Sequence, residues 1–289
     1  MTGPAFDPLA QQRLPKQFVE HARALARGGV TVAEPRNAAT VVVLRDGRDG
    51  PEAYLLRRTR TMAFAAGMYV FPCGSVGPRD ETLADTAWVG PPPQRWAGLL
   101  GADAGLAKAL VCAAVRETFE ESGVLLAGTG ADHVVADTTG DDWERDRLAL
   151  LDRSLSFAAM LSDRGLVLRA DLLRPWAHWI TPEIEPKRYD TRFFVAALPA
   201  GQRTRDVGGE ADRVVWLRPE DALAGSQRGE IGMLPPTAFT LAELSTYGSV
   251  ADVLAAGDAR DIKPVLPKVV VVSDEEARLL LPHDEGYPA

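Results

Sequence analysis

The sequence is poor in cysteine and has no long apolar run. Its two cysteines, Cys73 and Cys112, are too few for a disulfide framework, and no CxxC or Cys/His metal pattern accompanies them. No uninterrupted apolar run approaches the roughly 18–20 residues that span a bilayer. The opening segment MTGPAFDPLAQQRLP also lacks the apolar stretch of a secretory signal. We therefore expect a protein of a reducing, cytoplasmic compartment that has no membrane partner.

An excess of basic residues is also missing. Lys and Arg total 32 against 40 for Asp and Glu, which gives a formal net charge of −8. Proteins that bind the nucleic-acid backbone normally carry a basic face, so we expect no nucleic-acid partner. The balance still permits a small phosphorylated ligand that is held by a few arginines and a metal ion.

The 289 residues, 46% of them hydrophobic, are enough to bury a sizeable core. Apolar and β-branched runs that end at turn residues or prolines predict strands, and segments with helical spacing predict helices. The predicted strands are residues 38–47, 52–59, 67–72 and 124–127 and the segments WAHWITP, TRFFVAALP, DRVVWLRP, PKVVVVS and ARLLLP. The predicted helices are residues 15–29, 106–122 and 141–165, the short segment PEDALAG, and two helices from Pro235 onward.

This order of strands, one acidic helix, further strands and further helices predicts an α/β (mixed α+β) fold in which helices pack on a mixed sheet. No Gly/Ser-rich linker divides the chain. We therefore predict an N-terminal helical lead-in over residues 1–36 and a single elaborated domain over residues 37–289. Within that domain, residues 75–107 are predicted to form an irregular insertion and residues 235–260 a helical extension.

Three carboxylates crowd one side of the central acidic helix. Glu117, Glu120 and Glu121 lie within five residues of each other, and Arg116 is the i,i+4 neighbour of Glu120. Half-buried like charges cost several kcal/mol unless a cation compensates them. A divalent ion that prefers oxygen ligands, such as Mg²⁺ or Mn²⁺, would remove that cost. The alternative for an isolated cluster is a solvated acidic face with one Arg pair.

The residues around this cluster resemble a family motif. The segment RETFEESGV resembles the second half of the Nudix box, G-x5-E-x7-R-E-U-x-E-E-x-G-U. The matching positions are Arg116, Glu117, Glu120, Glu121, Gly123 and Val124, with Thr118 where a large aliphatic residue is more usual. The chain therefore resembles a Nudix hydrolase, and the resemblance implies a Nudix-type α/β/α sandwich with a mixed β-sheet.

The first half of the box is displaced upstream. Contiguous spacing would put Lys108 and Ala102 at the positions of the first acid and the glycine. The segment FPCGSVGPRD offers Gly74 and, after five residues, Asp80, and its start resembles the Phe-Pro-Gly-Gly turn through which the family enters its box. We therefore predict a split box with about 28 extra residues between its halves, since the closure entropy of a loop grows only logarithmically with its length.

Longer segments resemble one branch of the family. MAFAAGMYVFP, the insertion and WITPEIEPKRYDTRFF resemble a larger subgroup, typified by peroxisomal coenzyme A diphosphatases with bacterial relatives. This resemblance, over about residues 38–244, implies metal-dependent cleavage of coenzyme A or acyl-CoA to phosphopantetheine and 3′,5′-ADP. ADP-ribose or NADH is the alternative substrate. A catalytically silent Nudix-fold ligand sensor is the alternative of another class, although the presence of all three acids favours catalysis.

The resemblance also implies roles for the box residues. Glu120 and Glu121 would ligate Mg²⁺ or Mn²⁺, helped by the backbone carbonyl of Gly74. Glu117 would ligate a second metal ion or take a proton from water, and both fates need an ionised carboxylate. Arg116 would orient the acids through charge-assisted hydrogen bonds.

Residues outside the box complete the predicted site. Glu210, in the segment DVGGEADR, is a candidate general base, with a solvated loop acid as the alternative. The candidate substrate-binding residues are Arg58, Arg60, Tyr69, Arg188, Tyr189 and Arg192. Trp176, His178 and Trp179 lie on a predicted strand and are expected in the core. The expected partner is a small nucleotide-type substrate, and a homodimer is compatible with the fold.

Overall fold

The computed structural model of the protein describes residues 16–29, 31–59, 65–205 and 211–288. Within these ranges the helices are α1 (Lys16–Ala26), α2 (Pro93–Leu100), α3 (Ala104–Ser122), α4 (Asp141–Leu151), α5 (Phe157–Asp163), α6 (Pro219–Gln227), α7 (Pro235–Leu244) and α8 (Val250–Asp258). The strands are β1 (Arg36–Gly47), β2 (Gly50–Arg58), β3 (Tyr69–Val70), β4 (Cys73–Ser75), β5 (Trp88–Val89), β6 (Ala127–Gly128), β7 (Val167–Arg169), β8 (Arg174–Ile180), β9 (Tyr189–Ala197), β10 (Ala211–Leu217), β11 (Pro264–Val265), β12 (Lys268–Val271) and β13 (Ala277–Leu280). Short 3₁₀ turns lie at Pro78–Thr82, Asp85–Ala87 and Ala170–Leu172.

A mixed sheet forms the centre of the molecule. Its strands follow the order β10-β2-β1-β9-β8-β11, with β3 paired with β2 and β4 paired with β1. Strands β1 and β2, which the sequence predicts as neighbouring strands, form an antiparallel hairpin, whereas β1 lies parallel to β9. Residues 38–44 of β1 are all buried, because the sheet is covered on both faces at this strand.

Helices cover both faces of the sheet. Val41 and Val43 of β1 belong to a core that includes Phe119 of α3. Val42 belongs to a second core, which includes Leu241 of α7 and residues of α8. Alternate residues of a strand point to opposite faces, so one apolar run supplies both cores. The mixed α/β class and the α/β/α sandwich predicted from the sequence are confirmed.

The insertion is more regular than its sequence suggests. The expectation of irregular structure over residues 75–107 is wrong for Pro93–Leu100, which form α2 and pack against α3. Pro93 stands at the start of this helix, where a missing N–H removes no hydrogen bond. The ring of Trp96 is buried and meets Phe194 edge-on, with 5.8 Å between the ring centroids. This burial stabilises α2. The prolines before α2 are typical of a loop, so the helix was not predicted from the sequence.

Three other segments differ from their predictions in detail. Of the strand predicted over residues 124–127, only Ala127 is included in β6, which pairs with β7. The helix predicted over residues 141–165 is divided into α4 and α5 by a turn in which Arg153 has a φ of 65°. The closing strands β12 and β13 form a separate antiparallel hairpin, and α1 packs against both of them.

The cysteines and the apolar helices can also be located. Cys73 is half-buried, Cys112 is buried, and neither takes part in a disulfide. No single helix in the described ranges is both long and apolar enough to cross a membrane. Helices α2 and α3 satisfy length and composition only when taken together, and they meet at a bend of 90°.

Candidate active site

The predicted acidic helix is α3, and its last two turns carry the carboxylates. Asp103 caps its start, because the Asp103 side chain accepts a hydrogen bond from the Leu106 N–H at 2.9 Å. Gly123 ends the helix with a left-handed φ of 74° and donates its N–H to the Phe119 carbonyl at 2.9 Å. A cleft of about 1110 Å³ lies beside this end of α3. The α3 residues that line the cleft are Arg116, Glu117, Glu120 and Glu121.

Arg116 lies at the centre of the acidic cluster. Its Nη1 donates to Glu117 Oε1 at 2.6 Å and to Glu120 Oε1 at 3.2 Å. Its Nε and Nη2 donate to the two carboxylate oxygens of Asp80 at 2.8 and 3.0 Å, a bidentate geometry that fixes orientation. Nη2 also reaches the Ser75 carbonyl at 3.1 Å. One guanidinium therefore orients three carboxylates.

The two halves of the split box meet through Asp80. This residue is 36 positions away from Arg116 in the chain, and it is only 2% exposed. The Gly77 N–H donates to Asp80 Oδ2 at 2.8 Å, which fixes the carboxylate within the 3₁₀ turn. The bidentate pair then joins that turn to α3. The split-box hypothesis requires a contact of this kind between Asp80 and the helix that carries the second half of the box.

Strand β4 brings the backbone against the box acids. It pairs with β1, and Gly74 lies opposite Ala39. A Cβ atom on Gly74 would stand 2.0 Å from Glu117 Oε1, so any larger residue would displace that carboxylate. The neighbouring Cys73 N–H donates to Glu121 Oε2 at 2.8 Å. A single short strand therefore positions two of the three acids.

Burial perturbs the ionisation of the cluster. Desolvation raises the pKa of Glu117 to about 7, with Arg116 opposing the shift and Glu120 adding to it. Desolvation also raises the pKa of Glu120, again against the effect of Arg116. Burial disfavours the charged form of Arg116, but its hydrogen bond to Asp80 and the nearby carboxylates raise its pKa overall. Arg116 alone therefore supplies too little positive charge for Glu117 and Glu120 to ionise at their ordinary pKa values.

The donor chemistry of the cluster suits a hard divalent cation. Within the described parts of the chain, no three His, Cys, Asp or Glu side chains are arranged as they stand to hold a metal ion. Instead, the guanidinium of Arg116 lies among the carboxylates. Carboxylate oxygens are the ligands that Mg²⁺ and Mn²⁺ prefer, and all three box acids line the same cleft. The residues therefore fit such an ion by donor type and by location.

A further group of side chains, not found from the sequence, holds the C-terminal end of α3. Arg147 of α4 is 2% exposed, and its Nη1 donates to the backbone carbonyl of Glu120 at 2.8 Å. Its Nε and Nη2 donate to the carboxylate of Glu144 at 2.8 and 2.6 Å. Arg205 Nη1 donates to the same carboxylate at 2.6 Å, and the Arg205 N–H donates to the Ser122 carbonyl at 3.0 Å. Cations at this end also complement the helix dipole.

The structure brings two of the predicted substrate-binding residues to the cleft. Arg58, at the end of β2, and Tyr189, at the start of β9, both line it. Tyr69 is 4% exposed, belongs to the second core and is not among the residues that line the cleft. Arg60 and Glu210 lie outside the described residues, so their roles stay predictions.

Arg188 and Arg192 do not join the cleft. Arg188 is buried, and its guanidinium donates to two backbone carbonyls at 3.0 and 2.8 Å. Arg192 is 4% exposed and forms an ion pair with Asp190. Both arginines are an odd number of residues from Tyr189, so strand alternation directs them away from the face that Tyr189 occupies. This placement corrects the expectation that these two arginines bind the substrate.

The residues expected in the core on β8 are buried, but one has a second role. Trp176 and His178 are 1% and 8% exposed, and neither lines the cleft. Trp179 is 7% exposed and does line it. The sequence did not reveal that Trp179 lines the cleft, because a tryptophan in an apolar strand has the pattern of a core residue.

Comparison with known proteins agrees with this fold. A crystal structure of a Nudix hydrolase from Alicyclobacillus acidocaldarius is 31% identical, with a TM-score of 0.68, and the match covers 78% of this chain and 97% of that one. The chain therefore belongs to the Nudix hydrolase family. Within that family, residues 103–244 match the model described as the NUDT19 Nudix domain.

Two curated relatives carry a more specific description. Acyl-coenzyme A diphosphatase NUDT19 of Xenopus laevis is 25% identical, over 82% of this chain and 71% of that protein. The protein of the same name from Gallus gallus is 26% identical, over 62% of this chain and 52% of its own length. The chain thus spans about half the length of the chicken relative and more of the frog one.

Proposed function

We propose that the protein is a metal-dependent diphosphatase of coenzyme A or acyl-CoA, which releases 3′,5′-ADP and phosphopantetheine or its acyl derivative. One observation carries the proposal. Glu117, Glu120 and Glu121 face a single cleft together with Arg116, which Asp80 holds in place. The similarity to acyl-coenzyme A diphosphatases supports this substrate class.

The box acids would hold Mg²⁺ or Mn²⁺. Glu120 and Glu121 are the first ligands in this proposal, with the Gly74 carbonyl beside them and Glu117 as a further ligand. When bound, such an ion neutralises charge on the diphosphate and makes water easier to deprotonate.

The chain's own residues position the acids and accept a proton. Arg116 keeps Glu117 and Glu120 in place through charge-assisted hydrogen bonds. A cation held by the box acids would favour the ionised carboxylate of Glu117, which is the form that accepts a proton. Glu117 can therefore take a proton from the attacking water at Oε2, since its Oε1 faces Arg116. The water oxygen bonds to phosphorus as the bond from phosphorus to the leaving phosphate oxygen breaks.

A product assay tests the proposal. The protein is incubated with Mg²⁺ or Mn²⁺ and, in separate reactions, with coenzyme A, ADP-ribose and NADH, and the products are identified by mass. We expect phosphopantetheine and 3′,5′-ADP from coenzyme A, and no product once the metal ion is chelated. AMP from ADP-ribose or NADH, with coenzyme A intact, would reassign the substrate. No cleavage of any of them, with a ligand that still protects the fold against heat, would indicate a sensor.

A further inference from the structure

The floor of the cleft is four strands wide. Ser75 of β4, Ala38 of β1, Thr191 of β9 and Trp179 of β8 are successive register partners, and all four line the cleft. Neighbouring strands are about 4.8 Å apart, so this row spans about 14 Å. Glu121 lies at the β4 end, because its carboxylate accepts a backbone N–H of that strand. The floor therefore runs from the acidic cluster to Trp179.

Two residues of the C-terminal hairpin also line the cleft. Val269 of β12 and Leu279 of β13 are directly opposite each other in the hairpin, and both line the cleft. Val270 pairs with Arg278 and is not among the residues that line it. One face of the hairpin thus contributes two aliphatic side chains to the lining of the cleft. Helix α1 packs against the same hairpin and supports it.

Charge is distributed unevenly along the cleft. Among the described lining residues, the arginines come from β2, α3 and α4, from the 3₁₀ turn that contains Asp80, and from the turn after α4. None comes from β8, β9, the 181–185 loop, α7 or the hairpin. Most residues of those elements that line the cleft are apolar, and they include Trp179, Ile184, Phe193, Pro236, Val269 and Leu279. Tyr189 and three threonines add hydroxyl groups, and Glu185 adds a carboxylate. Among the described residues, the end beyond the acidic cluster is therefore mostly apolar and lacks a cation for a phosphate.

We propose that this apolar end, between Trp179 and the Val269–Leu279 pair, binds the aliphatic arm of the substrate and selects for it. The inference rests on the proposed function, because it assumes a substrate that joins a nucleotide to an aliphatic thioester through a diphosphate. The diphosphate lies at the box acids, the nucleotide lies toward the arginines, and the acyl chain lies under the hairpin. A sugar hydroxyl of a second nucleotide that met one of these apolar side chains would lack a hydrogen-bond partner there, which costs free energy.

The test compares chain lengths in matched variants. The values of kcat/KM are measured for coenzyme A, octanoyl-CoA and dodecanoyl-CoA in wild type, Val269→Asp and Val270→Asp. In wild type kcat/KM should rise with chain length, by at most about fourfold per methylene that becomes fully buried. Val269→Asp should lower the dodecanoyl-CoA to coenzyme A ratio at least about tenfold, since a charge now faces the chain. Val270→Asp, on the other face of the same strand, should leave the ratio unchanged.

A binding experiment separates failure of this inference from failure of the proposed function. Dodecanoyl-pantetheine, which has no phosphate, is titrated into each variant by calorimetry, and Leu279→Gln replaces Val269→Asp if the latter does not fold. Wild type that cleaves no coenzyme A thioester would refute the proposed function. If Val269→Asp but not Val270→Asp then weakens binding of dodecanoyl-pantetheine, the inference that the apolar end binds an aliphatic chain is still supported. Equal kcat/KM at all chain lengths, or equal effects of Val269→Asp and Val270→Asp, would overturn the inference.

Discussion

Replacing Gly74 by alanine should disable the site without unfolding the protein. The added Cβ would stand 2.0 Å from Glu117 Oε1 and 2.1 Å from its Cδ, whereas real Cβ contacts essentially never fall below 3.0 Å. The backbone of Gly74 is held by the pairing of β4 with β1, so the flexible carboxylate must retreat by about 1 Å. That movement breaks the 2.6 Å contact between Glu117 and Arg116. A misplacement of about 1 Å can cost about 100-fold in rate.

The assay for this variant pairs turnover with thermal unfolding. We expect kcat/KM for the cleaved substrate to fall about 100-fold, whereas loss of one charged hydrogen bond costs only about 1–3 kcal/mol of stability. Gly77→Ala is the matched control in the same loop, because its Cβ would meet Asp80 Oδ2 at an ordinary 3.8 Å. Wild-type kcat/KM in a folded Gly74→Ala protein would show that the position of this carboxylate does not limit the reaction.

The remaining predictions concern the same cluster. Asp80→Asn removes the charge from the bidentate pair with Arg116, so the free energy of unfolding in urea should fall by about 1–3 kcal/mol; an unchanged urea midpoint would refute a stabilising role for the pair. Glu121→Gln keeps an acceptor for the backbone N–H of β4, so the thermal midpoint should hardly change while metal-dependent turnover falls by orders of magnitude; wild-type activity would exclude Glu121 from the metal site. In protein freed of divalent ions by a chelator, folded Glu117 keeps its proton up to a pKa of about 7, against an ordinary value of 4.5. The free energy of unfolding should therefore fall as pH rises across this window, by at most about 3 kcal/mol, and a rise in urea titrations would contradict the shift.

The local elements could be predicted from the sequence because each carries its own signal. The segments AATVVVLRDG and EAYLLRRT indicated a hairpin, since a turn separates two apolar runs, and the structure pairs them as β1 and β2. The parallel pairing of β1 with β9 joins segments about 150 residues apart, and nothing local specifies it. The box acids were found because their spacing on one helix is itself the motif.

The rest of the site depends on contacts that spacing does not reveal. Glu144 and Arg147 are an ordinary i,i+3 pair in sequence, and only the packing of α4 against α3 brings them to the box helix. Arg192 was assigned to the substrate because it is close to Tyr189 in sequence. Residues three positions apart on a strand point to opposite faces of the sheet, so Arg192 and Tyr189 do not share a site although they are close in sequence.

The contact between Asp80 and Arg116 has a consequence for how such enzymes are recognised and how they diverge. The segment between these residues leaves the acidic cluster and returns to it, and its helix α2 packs on α3. Its length can therefore change without loss of the site, provided that the buried side of α2 keeps its packing and one carboxylate still reaches one guanidinium. A search for an unbroken motif would pass over chains of this kind. A search for a glycine, an acid six positions later, and an RExxEE helix at any distance downstream would find them.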